Sequence, residues 1–139
     1  MQRVIGYTFA MLVGLYAVAF AGAPASGQAP AVAGRELYVA NCSSCHQASG
    51  EGLPGVFPPL KGSGVVNKDD PTKHIRAVLN GMQGARAGGV VYAAAMPPFA
   101  AILSDGDIAA VINFERRTWG NHGALVTALQ VAAERGRLK

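Results

Sequence analysis

Apolar residues are spread unevenly along this chain, and their spacing divides it into parts. Residues 4–23 carry no charge. Beyond them, apolar positions recur in short bursts at helical spacing, separated by stretches rich in glycine and proline. Gly34–Asn41 (GRELYVAN) reads as a short helix, with Gly34 and Tyr38 four apart on one face. Asp70-Pro71-Thr72 opens a second, with Asp70 as N-cap and Pro71 at the first helical position. That helix continues through Ile75, Val78 and Leu79 and stops at Asn80-Gly81. Ser104-Asp105-Gly106-Asp107 caps a third, which presents Ile108, Val111, Ile112 and Phe114 before Trp119-Gly120. Leu125–Ala133 is weakly amphipathic. The stretch from Gln47 to Gly64 holds Gly50, Gly52, Pro54, Gly55, Pro58 and Pro59, which excludes a regular helix or a central strand. Val90-Val91-Tyr92 is too brief to count as a strand. The pattern predicts an all-α fold with long loops, and such loops in a small domain need something to wrap.

The uncharged run changes the picture of where the protein works. Arg3 precedes it, and Ala21, Ala23 and Ala25 follow as small residues. Residues 1–25 read as a secretory signal peptide, cut after Ala25 because Pro24 would make a poor new terminus. The alternative is an uncleaved N-terminal anchor, since twenty uncharged residues can span a bilayer. Gly6, Thr8 and Gly14 weaken that reading. Residues 26–33 form an Ala/Pro/Gly linker, 34–122 one small domain and 123–139 a C-terminal tail. Without the leader, eleven basic side chains face eight acidic ones. They are scattered, with no basic stripe interleaved with aromatics, so nucleic acid is excluded as a partner. Arg135, Arg137 and Lys139 read as a solvated tail. The membrane is a partner only if the leader is retained.

Chemistry enters at Cys42-Ser43-Ser44-Cys45-His46, which holds the only cysteines among 139 residues. A C-x-x-C-H run reads as an attachment site for c-type haem. Cysteines three apart lie about one helical turn from each other, so both thiols can reach the vinyl groups on one side of a porphyrin. His46 then brings an imidazole beneath the iron. A structural zinc site would need about four ligands, and no second Cys pair completes one. A thioredoxin-like motif would sit near a βαβ pattern, which is missing here. A disulfide between such close cysteines would staple only a trivial loop. One covalently bound haem c with its iron is therefore the expected cofactor, and it supplies the object that the loops wrap.

With these residues in place, the chain resembles the class I cytochrome c family from Gly34 to about Asn121. The resemblance implies a first helix carrying Gly34 and Tyr38 that crosses a last helix carrying Val111 and Phe114, with Tyr38 packed against Phe114. It implies that the Pro58 carbonyl, twelve residues beyond His46, accepts a hydrogen bond from the histidine Nδ1 and raises its basicity toward iron. It gives Met96, stiffened by Pro97 and Pro98, as the second axial ligand; Met82 is the competitor. His74, beside Lys73 and Arg76, reads as a solvated helix residue. Trp119 packs over the haem or in the core. Segments 52–60, 96–99 and 116–121 are similar to cytochrome c subunits serving periplasmic alcohol and aldehyde dehydrogenases, and to oxidase-linked cytochrome c domains. The implied function is a periplasmic one-electron carrier between a dehydrogenase and the respiratory chain or a terminal oxidase. No paired carboxylates or Ser/His/Asp-like set points to an enzyme, and no small-molecule substrate is expected. The alternatives are an open-site haem c enzyme or gas sensor, and a haem-free C-x-x-C oxidoreductase.

Overall fold

A computed structural model describes residues 30–138 of the chain. The leader, most of the linker and Lys139 lie outside the described residues. The order is α1 (Pro30–Asn41), α2 (Ser43–His46), α3 (Thr72–Asn80), β1 (Arg86–Ala87), β2 (Val90–Val91), α4 (Asp105–Arg117) and α5 (Ala128–Arg135). The all-α expectation holds, with a two-stranded hairpin as its one exception among the described residues. In that hairpin Arg86 faces Val91 and Ala87 faces Val90. Gly88 and Gly89, both at positive φ, make the two-residue turn. Val90-Val91 is therefore a strand after all, short because a local turn and not a sheet creates it. Among the described residues no helix is long and apolar enough to cross a membrane.

The crossing of α1 and α4 frames the domain. A side chain at Gly34 would run into the Ala110 carbonyl and Phe114, so only glycine lets the backbones come this close. One turn on, the rings of Tyr38 and Phe114 sit 5.3 Å apart. Trp119 completes the cluster, 5.1 Å from Tyr38 and edge-on to Phe114. Its indole also covers Gly50, and its Nε1 donates to the Ala48 carbonyl at 3.1 Å. Trp119 is thus committed to this cluster. The helix α1 starts at Pro30, four residues earlier than the linker boundary allowed, because a proline fits a helix's first turn.

On the other side, Ile75, Val78 and Leu79 of α3 pack with Phe99, Ile108, Ala109, Ile112, Val126 and Val131. Ser104 and Asp107 cap α4 reciprocally, as the sequence indicates. The start of α3 differs by one residue. Pro71 is the N-cap, and the Asp70 carboxylate accepts from the backbone and hydroxyl of Thr72. The C-terminal segment is also not a solvated tail. Thr127 and Gln130 form a second capping box, Val131 is fully buried, and Arg135 pairs with Asp105 at 2.7 Å while its guanidinium also reaches the Ala100 and Leu103 carbonyls. Long-range partners convert apparently solvated charges into anchors.

Candidate functional site

Residues of α1, α2, α3 and α4 line one largely apolar cavity. Its apolar walls suit an apolar cofactor. Cys42, Cys45 and His46 line it together with Phe57, Pro58 and Pro59, Met82 and Met96, and His74 and Glu115. The helix α1 ends in a turn at Cys42, whose carbonyl accepts from the amides of Cys45 and His46, so α2 winds the motif into one short helix. His46 is buried, and its Nδ1 lies 2.9 Å from the Pro58 carbonyl, the contact the resemblance implies. With Nδ1 so engaged, Nε2 is the ring nitrogen left for a metal.

The loop from residue 47 to 67 is tied down more firmly than its glycines and prolines suggest. The amides of Leu60 and Lys61 both donate to the Gly50 carbonyl, and Gly52 donates to that of His46. Asn121 is buried and uses all its capacity. It accepts from the Gly62 amide and from Asn67, and donates to the carbonyls of Leu60 and Glu115. Arg116, fully buried beside Gly123, donates to the Ala124 and Lys68 carbonyls. Burial lowers its proton affinity and Asp69 opposes that shift. Arg116 and Asn121 stand in the sequence only as the ends of a resembling segment with no role, because the groups they bond come from loops that only the fold brings to them.

The two methionines are neighbours. Their backbones form an antiparallel pair, Met82 N–H to Met96 O at 3.1 Å and Met96 N–H to Met82 O at 2.8 Å. Gly81 permits the pairing, since a side chain there would strike the Met96 carbonyl and the following prolines. Met96 packs against the core, whereas Met82 is 44% exposed. Both line the cavity that the cysteine helix also lines.

His74 corrects the sequence reading. It is buried, and its Nε2 lies 2.8 Å from the buried Glu115 carboxylate. The same carboxylate shapes the cysteine motif. Burial first, then Glu115 and Cys45, push the Cys42 thiol up to about 12. Burial, then Glu115 and Cys42, also raise the Tyr38 phenol, whose hydroxyl donates to the Gln47 carbonyl at 2.6 Å.

The residue set fits a haem: two thiols, an imidazole bonded at its far nitrogen and a thioether line one apolar cavity. Comparison with known proteins points the same way. A family model described as Cytochrome c matches residues 31–119. The chain is 43% identical over 90 residues to the cytochrome c subunit of a quinone alcohol dehydrogenase from Gluconobacter oxydans, covering 65% of this chain and 19% of that subunit. It is 38% identical over 104 residues to the cytochrome c subunit of gluconate 2-dehydrogenase from Pantoea cypripedii, covering 73% and 24%. It is 39% identical over 92 residues to cytochrome c-552 of Thermus thermophilus, covering 63% of this chain and 69% of that protein. The match thus spans about a fifth to a quarter of the dehydrogenase subunits' length.

Proposed function

This chain belongs to the cytochrome c family, and on that footing we propose that it holds a single haem and passes single electrons from a dehydrogenase toward the respiratory chain. Cys42 and Cys45 would hold the haem through thioether bonds, and His46 and Met96 would ligate its iron. When bound, the haem supplies an iron that cycles between ferrous and ferric states. The protein's own part is to hold and tune. The Pro58 carbonyl orients His46, the bridged Met82–Met96 backbones fix the thioether's approach, and the apolar wall keeps water away. A soft, neutral thioether opposite a histidine raises the reduction potential. Two features support the reading of a carrier over an enzyme: His46 and Met96 both line the cavity as candidate iron ligands, and the relatives with dehydrogenase names are called cytochrome subunits. Those names favour a dehydrogenase as donor; a terminal oxidase as acceptor rests on the sequence resemblance. The uncharged leader and Arg3 support export to the periplasm.

The observation that carries most weight is the pairing of His46 Nδ1 with Pro58 on the wall that also holds both cysteines. Protein matured in a periplasm should show a Soret band, thioether-linked haem after denaturation, and in the ferric state the weak sulfur-to-iron band at the red end. A haem protein lacking that band and binding carbon monoxide would instead be the open-site enzyme or sensor. Protein without any haem would overturn the reading.

A further inference from the structure

Attaching and ligating a haem asks nothing of Glu115, yet this carboxylate is buried on the cavity wall. Burying a carboxylate is costly unless it is paired and hydrogen-bonded. Glu115 has such a partner in His74 Nε2, 2.8 Å away and equally buried. Among the described residues it is also the one acidic side chain that lines the cavity. Its charge reaches the attachment motif: after burial itself, Glu115 is the main influence that raises the Cys42 thiol and the Tyr38 phenol.

Given a haem in this cavity, which rests on the proposed carrier function, we infer that Glu115 tunes the iron: its carboxylate, held by His74, favours the ferric state and lowers the reduction potential. His74 is the positioning residue, fixing the carboxylate through Nε2–H. Charge acts across distance, so no contact with the cofactor is needed. Ferric iron carries one positive charge more than ferrous iron, and a negative charge beside it stabilises the ferric form by Coulomb attraction. Two unit charges about 10 Å apart, at an effective dielectric constant of about 20, shift an equilibrium roughly tenfold. For a one-electron couple a tenfold shift is about 59 mV. A thioether ligand acts in the opposite direction, so ligand and carboxylate together set the value.

The other charges near the cavity compete less. Arg86 of the hairpin also lines it, but is exposed, where water and salt screen its field. Arg116 is buried, but its guanidinium donates to the Ala124 and Lys68 carbonyls and it is not among the lining residues. A charged imidazole beside Glu115 would offset the carboxylate. The potential is therefore compared at pH 8, above the ordinary histidine value of about 6.5.

The test uses the full chain matured with haem, as wild type, as Glu115→Gln, and as a double variant with His74→Leu and Glu115→Leu. Glutamine keeps the shape and can still accept the Nε2–H bond, so it removes the charge alone. Absorbance first establishes bound haem in the wild type; its absence overturns the carrier reading and this inference with it. Where haem and the sulfur-to-iron band are both retained, redox titration of Glu115→Gln should show a potential raised by roughly the equivalent of a tenfold shift, about 59 mV. A potential that is unchanged or lower overturns the tuning role and leaves the carrier reading standing. If Glu115→Gln loses the haem or the band, the double variant, whose apolar pair replaces the buried polar one, must show the same rise. If it loses them too, carboxyl-carbon spectra of the ferrous wild type at pH 8 decide: an ionised Glu115 supports the role, and a protonated one overturns it.

Discussion

At the scale of single residues, the site turns on which of two adjacent methionines supplies its sulfur. Met96 packs against the core and is followed by two prolines, while Met82 is largely exposed. Met96→Ala should therefore open the sixth position, lower the potential and admit carbon monoxide, and Met82→Ala should do none of these. Loss of the sulfur-to-iron band in the Met82 variant alone would reverse the assignment. Asn121 offers an independent test of what holds the haem loop. Truncation to alanine strands the Gly62 amide and removes the donor to the Leu60 and Glu115 carbonyls. At roughly 1–3 kcal/mol for each buried group left unmet, the loss should be on the order of 3 kcal/mol. Denaturant unfolding measures it, and a change within about 0.5 kcal/mol, typical of surface substitutions, would mean that water replaces the side chain.

At the scale of elements, α5 is where chain and expectation diverge most. Its docking combines buried Val131 with ion pairs from Arg135 to Asp105 and from Glu134 to Arg76 and Arg137. Arg76 holds the Glu134 carboxyl below its usual range, with burial opposing and Arg137 assisting. A lowered folded-state value means that the contribution is full above the ordinary carboxylate range and is lost as pH falls through the lowered value. Glu134→Gln should thus destabilise the protein at neutral pH and match the wild type in strong acid, as thermal melts across the acid range would show. Equal destabilisation at every pH would assign the effect to packing. Val131→Asp should cost on the order of 3 kcal/mol, because it buries a charge with no partner.

The same elements show what the sequence makes legible. Helices α1, α3 and α4 announce themselves through local signals: Gly34 and Tyr38 four apart, apolar positions at 75, 78 and 79, and the Ser104–Asp107 cap. The cysteine motif is read from its own spacing, and the role of Pro58 from the family resemblance at that spacing. His74, Glu115, Arg116 and the anchors of α5 are not, because a polar side chain looks solvated until a partner far along the chain is brought to it. Glu115 lies 41 residues from His74, and Asp105 lies 30 from Arg135. Neither distance leaves a periodic trace. The hairpin escaped for the opposite reason: two residues per strand are too few to show a period, and its glycine pair carried the signal.

At the scale of the whole molecule, the cavity mouth determines how the carrier meets its partners. The turn at residues 53–57 is joined to the methionine segment by hydrogen bonds from Ala93 to Gly55 and from Ala94 to Val56. Leu53, Val56 and Met82 stand exposed on these segments, and Met82 also lines the cavity; Val90 and Val91 of the hairpin are exposed too. Charge is distributed differently. Lys61 is paired with Glu51, Arg76 and Arg137 with Glu134, and Arg135 with Asp105, so four basic side chains are answered locally and the net excess is spread over the rest. Two haem carboxylates would reduce the remainder. A carrier must also release its partner between turnovers, which favours a small interface. Apolar contact at the mouth with little long-range steering meets both conditions. Electron-transfer rates with a dehydrogenase donor should therefore change only slightly between low and physiological salt, whereas Leu53→Lys or Val56→Lys should slow the second-order rate without moving the potential. A steep fall with salt in stopped-flow measurements would show instead that a charged patch directs the encounter; Arg35, Lys68, Lys73, Arg86 and Arg117, outside the ion pairs among the described residues, would then be the ones to substitute.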